Sequence, residues 1–178
     1  MSSISIAGDT SGSITLSVPA VAGTNTVTIP ASTGTVMVSG NMPAFSVNAN
    51  GTQSIVSGTS TLVSFGTIGT TGFDTNSNFN TGTYKFQPTV AGYYQINAAT
   101  QFQGTSNPTN TYTTYIYKNG SAFVQASVSA VQYVLSNVST VIYFNGSTDN
   151  VQVYAQHFTG TNQTILGTIF SGCLLRTS

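Results

Sequence analysis

Few side chains in this chain could do covalent chemistry. Its 178 residues include three acids (Asp9, Asp74, Asp149), three bases (Lys85, Lys118, Arg176), one histidine (His157) and one cysteine (Cys173). General acid and base work needs two proton-exchanging groups converging on one bond, and only Asp74 and Asp149 could supply a carboxylate pair. Asp149 follows Gly146-Ser147-Thr148, where an Asp ordinarily bonds its own backbone in a turn. Thiol catalysis would need His157 beside Cys173 to generate a thiolate, and no spacing brings them together. Cys173 sits in the apolar run 170–175 and is expected to be a small buried hydrophobe. As the lone cysteine it cannot form an intrachain disulfide. No Ser-His-Asp order, phosphate cradle or metal-ligand cluster stands out, and Gly66-Thr67-Ile68-Gly69 is ordinary loop sequence. The expectation is therefore a protein that is not an enzyme, with no catalytic, cofactor-binding or metal residues.

The same scarcity of charge excludes partners. Charged residues are 3% of the chain, against a typical ~25%. Phosphate recognition needs clustered Lys and Arg, so no nucleic acid is expected. No stretch approaches the ~20 apolar residues of a membrane span, so no membrane is expected. The start, Met1-Ser2-Ser3-Ile4-Ser5-Ile6, lacks a basic region and a long apolar run, which reads as synthesis and assembly in a cytoplasm. Several Asn-x-Ser/Thr triplets, Asn119-Gly120-Ser121 among them, are chance matches in so Asn-rich a chain.

The elements that would carry these residues are strands. From Gly92 onward, Tyr94, Ile96, Ala98 and Phe102 alternate with Tyr93, Gln95, Asn97 and Gln101, the period-2 pattern of a strand with one apolar face. That pattern fixes the register, because a one-residue slip would turn every aromatic outward. Asn119-Gly120 between Tyr117 and Phe123 is a strong hairpin signal, since a type I′ turn needs positive φ at both central residues. Asn145-Gly146 is a second turn signal with a longer loop before Val151. At this length one domain can bury about 70% of its unfolded surface, enough for a core without metals or disulfides. Uncharged strand edges invite pairing with other chains, and a closed oligomer removes that hazard.

The aromatic spacing has a family look. Asp74, Phe79, Phe86, Gly92 and Tyr94 fall at the spacing of the C1q family signature, with Ile68, Ile96 and Ala98 where that family carries aromatic residues. Tyr117-Lys118-Asn119-Gly120, the segment 141–146 and the closing Phe170-Ser171-Gly172-Cys173-Leu174-Leu175 continue the resemblance over residues 43–178. It implies an all-β, ten-stranded jelly-roll β-sandwich of C1q/TNF type, from about 44 to 176, that assembles as a homotrimer. Asp74, Phe79, Phe86, Gly92, Tyr94 and Ile96 would form the structural core of the motif. The strands near 92–102, 139–145 and 165–175 would share the sheet that faces the other subunits, with Tyr93, Gln95, Val141 and Tyr143 at the trimer interface. A trimer could also set three copies of Asp149 or Asp74, with Asn and carbonyl oxygens, around an axial calcium. The expectation is a turn role for each, and so no cofactor.

Residues 1–42 read as a separate segment. Thr15-Leu16-Ser17-Val18-Pro19-Ala20-Val21-Ala22-Gly23-Thr24-Asn25 is echoed by Thr26-Val27-Thr28-Ile29-Pro30-Ala31-Ser32-Thr33-Gly34-Thr35-Val36, each copy a short strand ended by Pro and then a Gly turn. Two such strands have too little apolar surface to fold alone and need neighbours. The run is similar to segments of tailed-phage fibre and other virion proteins. No collagen-like Gly-X-Y stalk is present, so complement-type partners are not implied. Together the segments resemble a phage virion appendage. The expectation is a structural protein of the virion, on tail or capsid, attached to other virion proteins through residues 1–42. Its head would bind a host-surface glycan or protein through neutral loops such as 104–110. The alternative is a capsid decoration or head fibre without receptor binding.

Overall fold

The computed structural model describes residues 3–17, 19–21, 23–26, 31, 36–38, 42–49, 51–66, 72–104, 109–129 and 133–178. The chain divides into two units, Met1–Gly34 and Thr35–Ser178. That line falls before the sequence boundary at 42, and Met37 packs against the core of the second unit.

The first unit holds a hairpin of β1 (Ser3–Ala7) and β2 (Ser13–Ser17). Its register sets Ile4 opposite Leu16 and Ile6 opposite Ile14. At the turn, the Gly8 N–H donates to Gly12 O at 2.9 Å. The strand of the first repeat copy thus pairs with the segment before it, which sequence reading did not single out. The strand expected in the second copy, at 27–30, lies outside the described residues.

The second unit is a two-sheet sandwich. Its strands are β3 (Ala44–Asn48), β4 (Gln53–Ile55), β5 (Thr61–Leu62), β6 (Phe73–Asp74), β7 (Phe79–Asn80), β8 (Lys85–Phe86), β9 (Gly92–Phe102), β10 (Thr111–Lys118), β11 (Ser121–Ser129), β12 (Val134–Phe144), β13 (Val151–His157) and β14 (Gln163–Thr177). The front sheet runs β12-β9-β14-β3-β6 with β4 on β14, and the back sheet runs β11-β10-β13-β8-β7 with β5 on β13. The chain crosses repeatedly between them: β9 is front, β10 and β11 back, β12 front, β13 back and β14 front. This is the jelly-roll expected from the sequence. The expected ten strands become two sheets of six because two-residue pairs such as Phe79–Asn80 with Lys85–Phe86 stand as separate strands.

Aromatic alternation builds the core. Phe79, Phe86, Tyr94, Ile96 and Ala98 all point inward and are buried. Phe45 stacks on Phe86 with centroids 4.0 Å apart, and Phe144 meets Tyr94 edge-on at 5.2 Å. Such offset and edge-on pairs add to the gain from burial itself. The Tyr94 hydroxyl escapes an unpaired burial by donating to Val90 O at 2.8 Å. Gly92 is required by closeness: a Cβ there would collide with the Arg176 carbonyl oxygen and the Leu174 side chain. Asn119 and Gly120 have φ of 52° and 81°, as the two-residue turn joining Lys118 to Ser121 demands.

Candidate functional site

Alternation that buries one face of the front sheet exposes the other. On β9 the outward positions are Tyr93, Gln95, Asn97 and Ala99; on β12 they are Leu135, Asn137, Ser139, Val141 and Tyr143. Register lines them up in rungs: Tyr143 beside Tyr93, Val141 beside Gln95, Ser139 beside Asn97, Asn137 beside Ala99. Strand β14 extends the rungs with Arg176, Cys173, Ser171 and Ile169. The four residues expected at a subunit interface are thus brought together on one surface by two adjacent strands.

This surface is apolar at one end, polar in the middle and apolar again. Tyr93, Val141, Tyr143, Ile169 and Leu175 are all exposed, Val141 at 49% and Leu175 at 52%. The Tyr93 and Tyr143 rings lie 5.4 Å apart, and the Arg176 guanidinium sits 5.4 Å from the Tyr93 centroid. In the middle, the Gln95 amide donates to Ser139 Oγ at 2.7 Å and the Ser139 hydroxyl donates to Asn97 Oδ1 at 2.8 Å. A shallow groove of about 290 Å³ lies beside this network, lined by Asn97, Ala99, Asn137, Ser139, Ile169 and Ser171. Sequence reading missed Leu135, Ile169 and Leu175 on this face. Continuing the parity of Tyr143 and Val141 back along β12 would have found Leu135.

Cys173 corrects an expectation. It is exposed, on the outer rung with Gln95 and Val141, because its neighbours Gly172 and Leu174 take the inward positions. His157 lies on the back sheet and points into the core, with Nε2 donating to Ile55 O at 2.8 Å and Nδ1 3.1 Å from Thr159 Oγ1. One side chain faces solvent and the other faces the interior, so they do not form a thiol–imidazole pair.

The carboxylates are occupied by the backbone and by amides. Asp74 Oδ2 accepts the Phe79 N–H at 2.7 Å, which ties β6 to the start of β7. Asp149 Oδ1 accepts from the Asn119 amide at 2.7 Å, and Oδ2 accepts the Asn145 N–H at 3.1 Å and pairs with Lys118 Nζ at 3.1 Å. The Asn119 hydrogen bond, with help from Lys118 and Asn145, holds the Asp149 carboxyl below the usual carboxylate range although desolvation opposes it. Asn145 Oδ1 in turn collects the N–H groups of Ser147, Thr148 and Asp149. These bonds close the loop between β12 and β13, the turn role expected of Asp149. Among the described residues, Asp74 and Asp149 share no hydrogen-bond partner.

Residues 105–108 of the loop expected to contact a glycan, and Ile68 of the aromatic motif, lie outside the described residues. Asn110, at the end of that loop, is 8% exposed and turned inward.

No protein-family model and no curated protein sequence matches the chain. Solved structures do. The globular domain of a zebrafish complement 1qA protein superposes with a TM-score of 0.55 at 17% identity, covering 76% of this chain and 98% of that one. Eiger TNF from S. frugiperda gives 0.55 at 10% identity, covering 77% and 93%. Murine APRIL gives 0.57 at 13% identity, covering 75% and 99%. The fold is that of a C1q/TNF-type jelly-roll domain.

Proposed function

We propose that the chain is a non-enzymatic structural protein of a bacteriophage virion, a homotrimeric C1q-like head that serves as a tail-fibre or appendage tip in host-surface attachment. The observation that carries the trimer is the outer face of the front sheet. Tyr93, Val141, Tyr143 and Leu175 leave an apolar patch in solvent at one end of that face, with Ile169 beyond the polar middle and Arg176 as the charged residue among the described outward positions. A monomer gains nothing by exposing these apolar side chains, whereas identical subunits can bury them against one another. The phage reading is supported by the likeness of residues 12–36 to virion fibre segments, and residues 1–42 would attach the head to other virion proteins. The partners are then the chain itself, the particle and a host-surface glycan or protein, and the location is the virion surface after assembly in the host cytoplasm.

A second reading, capsid decoration without a receptor, is favoured by one observation. Asn110, at the end of the loop offered for glycan contact, is buried and presents little surface to a ligand. Soluble protein added in excess separates the two. As a receptor-binding tip it should compete with particles for attachment to host cells in a dose-dependent way. Undiminished attachment at saturating protein would transfer the assignment to decoration.

A further inference from the structure

The hairpin β1–β2 has an apolar face that its own two strands cannot cover. Ile4, Ile6, Ile14 and Leu16 project from one side, paired across the strands as Ile4–Leu16 and Ile6–Ile14. They are 65%, 57%, 69% and 56% exposed. The opposite side carries Ser5, Ala7, Ser13, Thr15 and Ser17. Alternation this regular over both strands is what a half-buried sheet requires. A two-stranded hairpin is marginal in water by itself, so the face implies a cover.

We infer that the cover is the same hairpin from other copies of this chain, the aliphatic faces of the assembled subunits closing on one another. The inference rests on the homotrimer proposed above. Two features select a second copy as occupant. Within residues 3–17 the one charged side chain is Asp9, which lies in the turn beyond both strands, so copies meet face to face without like charges in the contact. The patch is also small: four aliphatic side chains fall well short of the ~800 Å² that each partner of a stable interface buries. A patch of that size cannot hold a separate protein from dilute solution. It suffices where the hairpins are already tethered together, because linkage through an assembled head raises the effective concentration to the millimolar range.

Cysteine trapping in the full-length chain tests this. With Cys173→Ser as background, Ile6→Cys places a thiol on the apolar face, and Ser5→Cys places one on the opposite face. Mild oxidation should convert about two of every three Ile6→Cys chains into disulfide-linked dimers, the remaining chain of each trimer having no partner. Ser5→Cys should give at least tenfold less. Light scattering on the same samples reads the head assembly separately. Trimeric protein with no Ile6→Cys dimer, or with equal trapping from both faces, would overturn the hairpin contact and leave the trimer standing. A single-chain mass with no trapping would overturn both.

Discussion

Tyr94 shows how one side chain converts burial into a pH dependence. Burial pushes its phenol from 10.0 up to about 12. The folded chain therefore keeps a proton that the unfolded chain has already lost between those values. The stability this provides is complete below pH 10 and is lost as pH rises toward 12. Urea midpoints across that window should decline more steeply for the wild type than for Tyr94→Phe; equal slopes would refute the assignment. Thr168 predicts the opposite kind of change. Its hydroxyl is buried and has no hydrogen-bond partner among the described residues, whereas nearby Thr100 and Thr114 bond each other and Thr114 donates to Ser136 O at 3.0 Å. Thr168→Val removes an unsatisfied group at nearly constant volume and should stabilise by about 1 kcal/mol, seen as a higher Tm. At this scale Tyr94 was legible from alternation along β9, which fixes its side of the strand, whereas Phe79 and Phe86 were placed in the core through the family resemblance, their strands being two residues long. Cys173 was misread for the same reason in reverse: apolar Phe170, Leu174 and Leu175 around it suggested a buried cluster, whereas parity from Phe170 through Gly172 and Leu174 puts it outside.

At the scale of elements, β14 carries much of the design, pairing with β9, β3 and β4. Its ladder against β9 shifts register between Ile165 and Gly167 and again between Leu174 and Arg176. Each shift resets the alternation, which leaves both Leu175 and Arg176 exposed and explains why sequence parity did not carry to the end of the chain. Gly92 faces this second shift. Gly92→Ala would drive a methyl into the Arg176 carbonyl and Leu174, and should cost about 1–3 kcal/mol, measured as a lower urea midpoint with an unchanged strand signature in circular dichroism. The hairpin between β10 and β11 was readable from Asn119-Gly120. The two-residue strands β5 to β8 were not, and around β6 to β8 the chain is held by bonds between the Asp74 and Asn78 side chains and nearby backbone, which leave no periodic signal. Asn78 accepts the Thr89 N–H at 2.8 Å and donates to Asn76 O at 2.9 Å. Periodicity needs more residues than these strands contain.

For the whole molecule, the proposed trimer joins neutral sandwiches through the outer face of the front sheet. Val141 lies at the Tyr93–Tyr143 end of that face and is half exposed in the single chain. Val141→Lys should therefore leave the monomer fold intact while placing a charge from each subunit inside the contact, where desolvation is costly. Sedimentation equilibrium at micromolar concentration is the most direct measurement. The proposed trimer gives about three times the 18.4 kDa chain mass for the wild type and a folded single chain for Val141→Lys. A wild-type mass of one chain, or a trimer unchanged by the lysine, would contradict it.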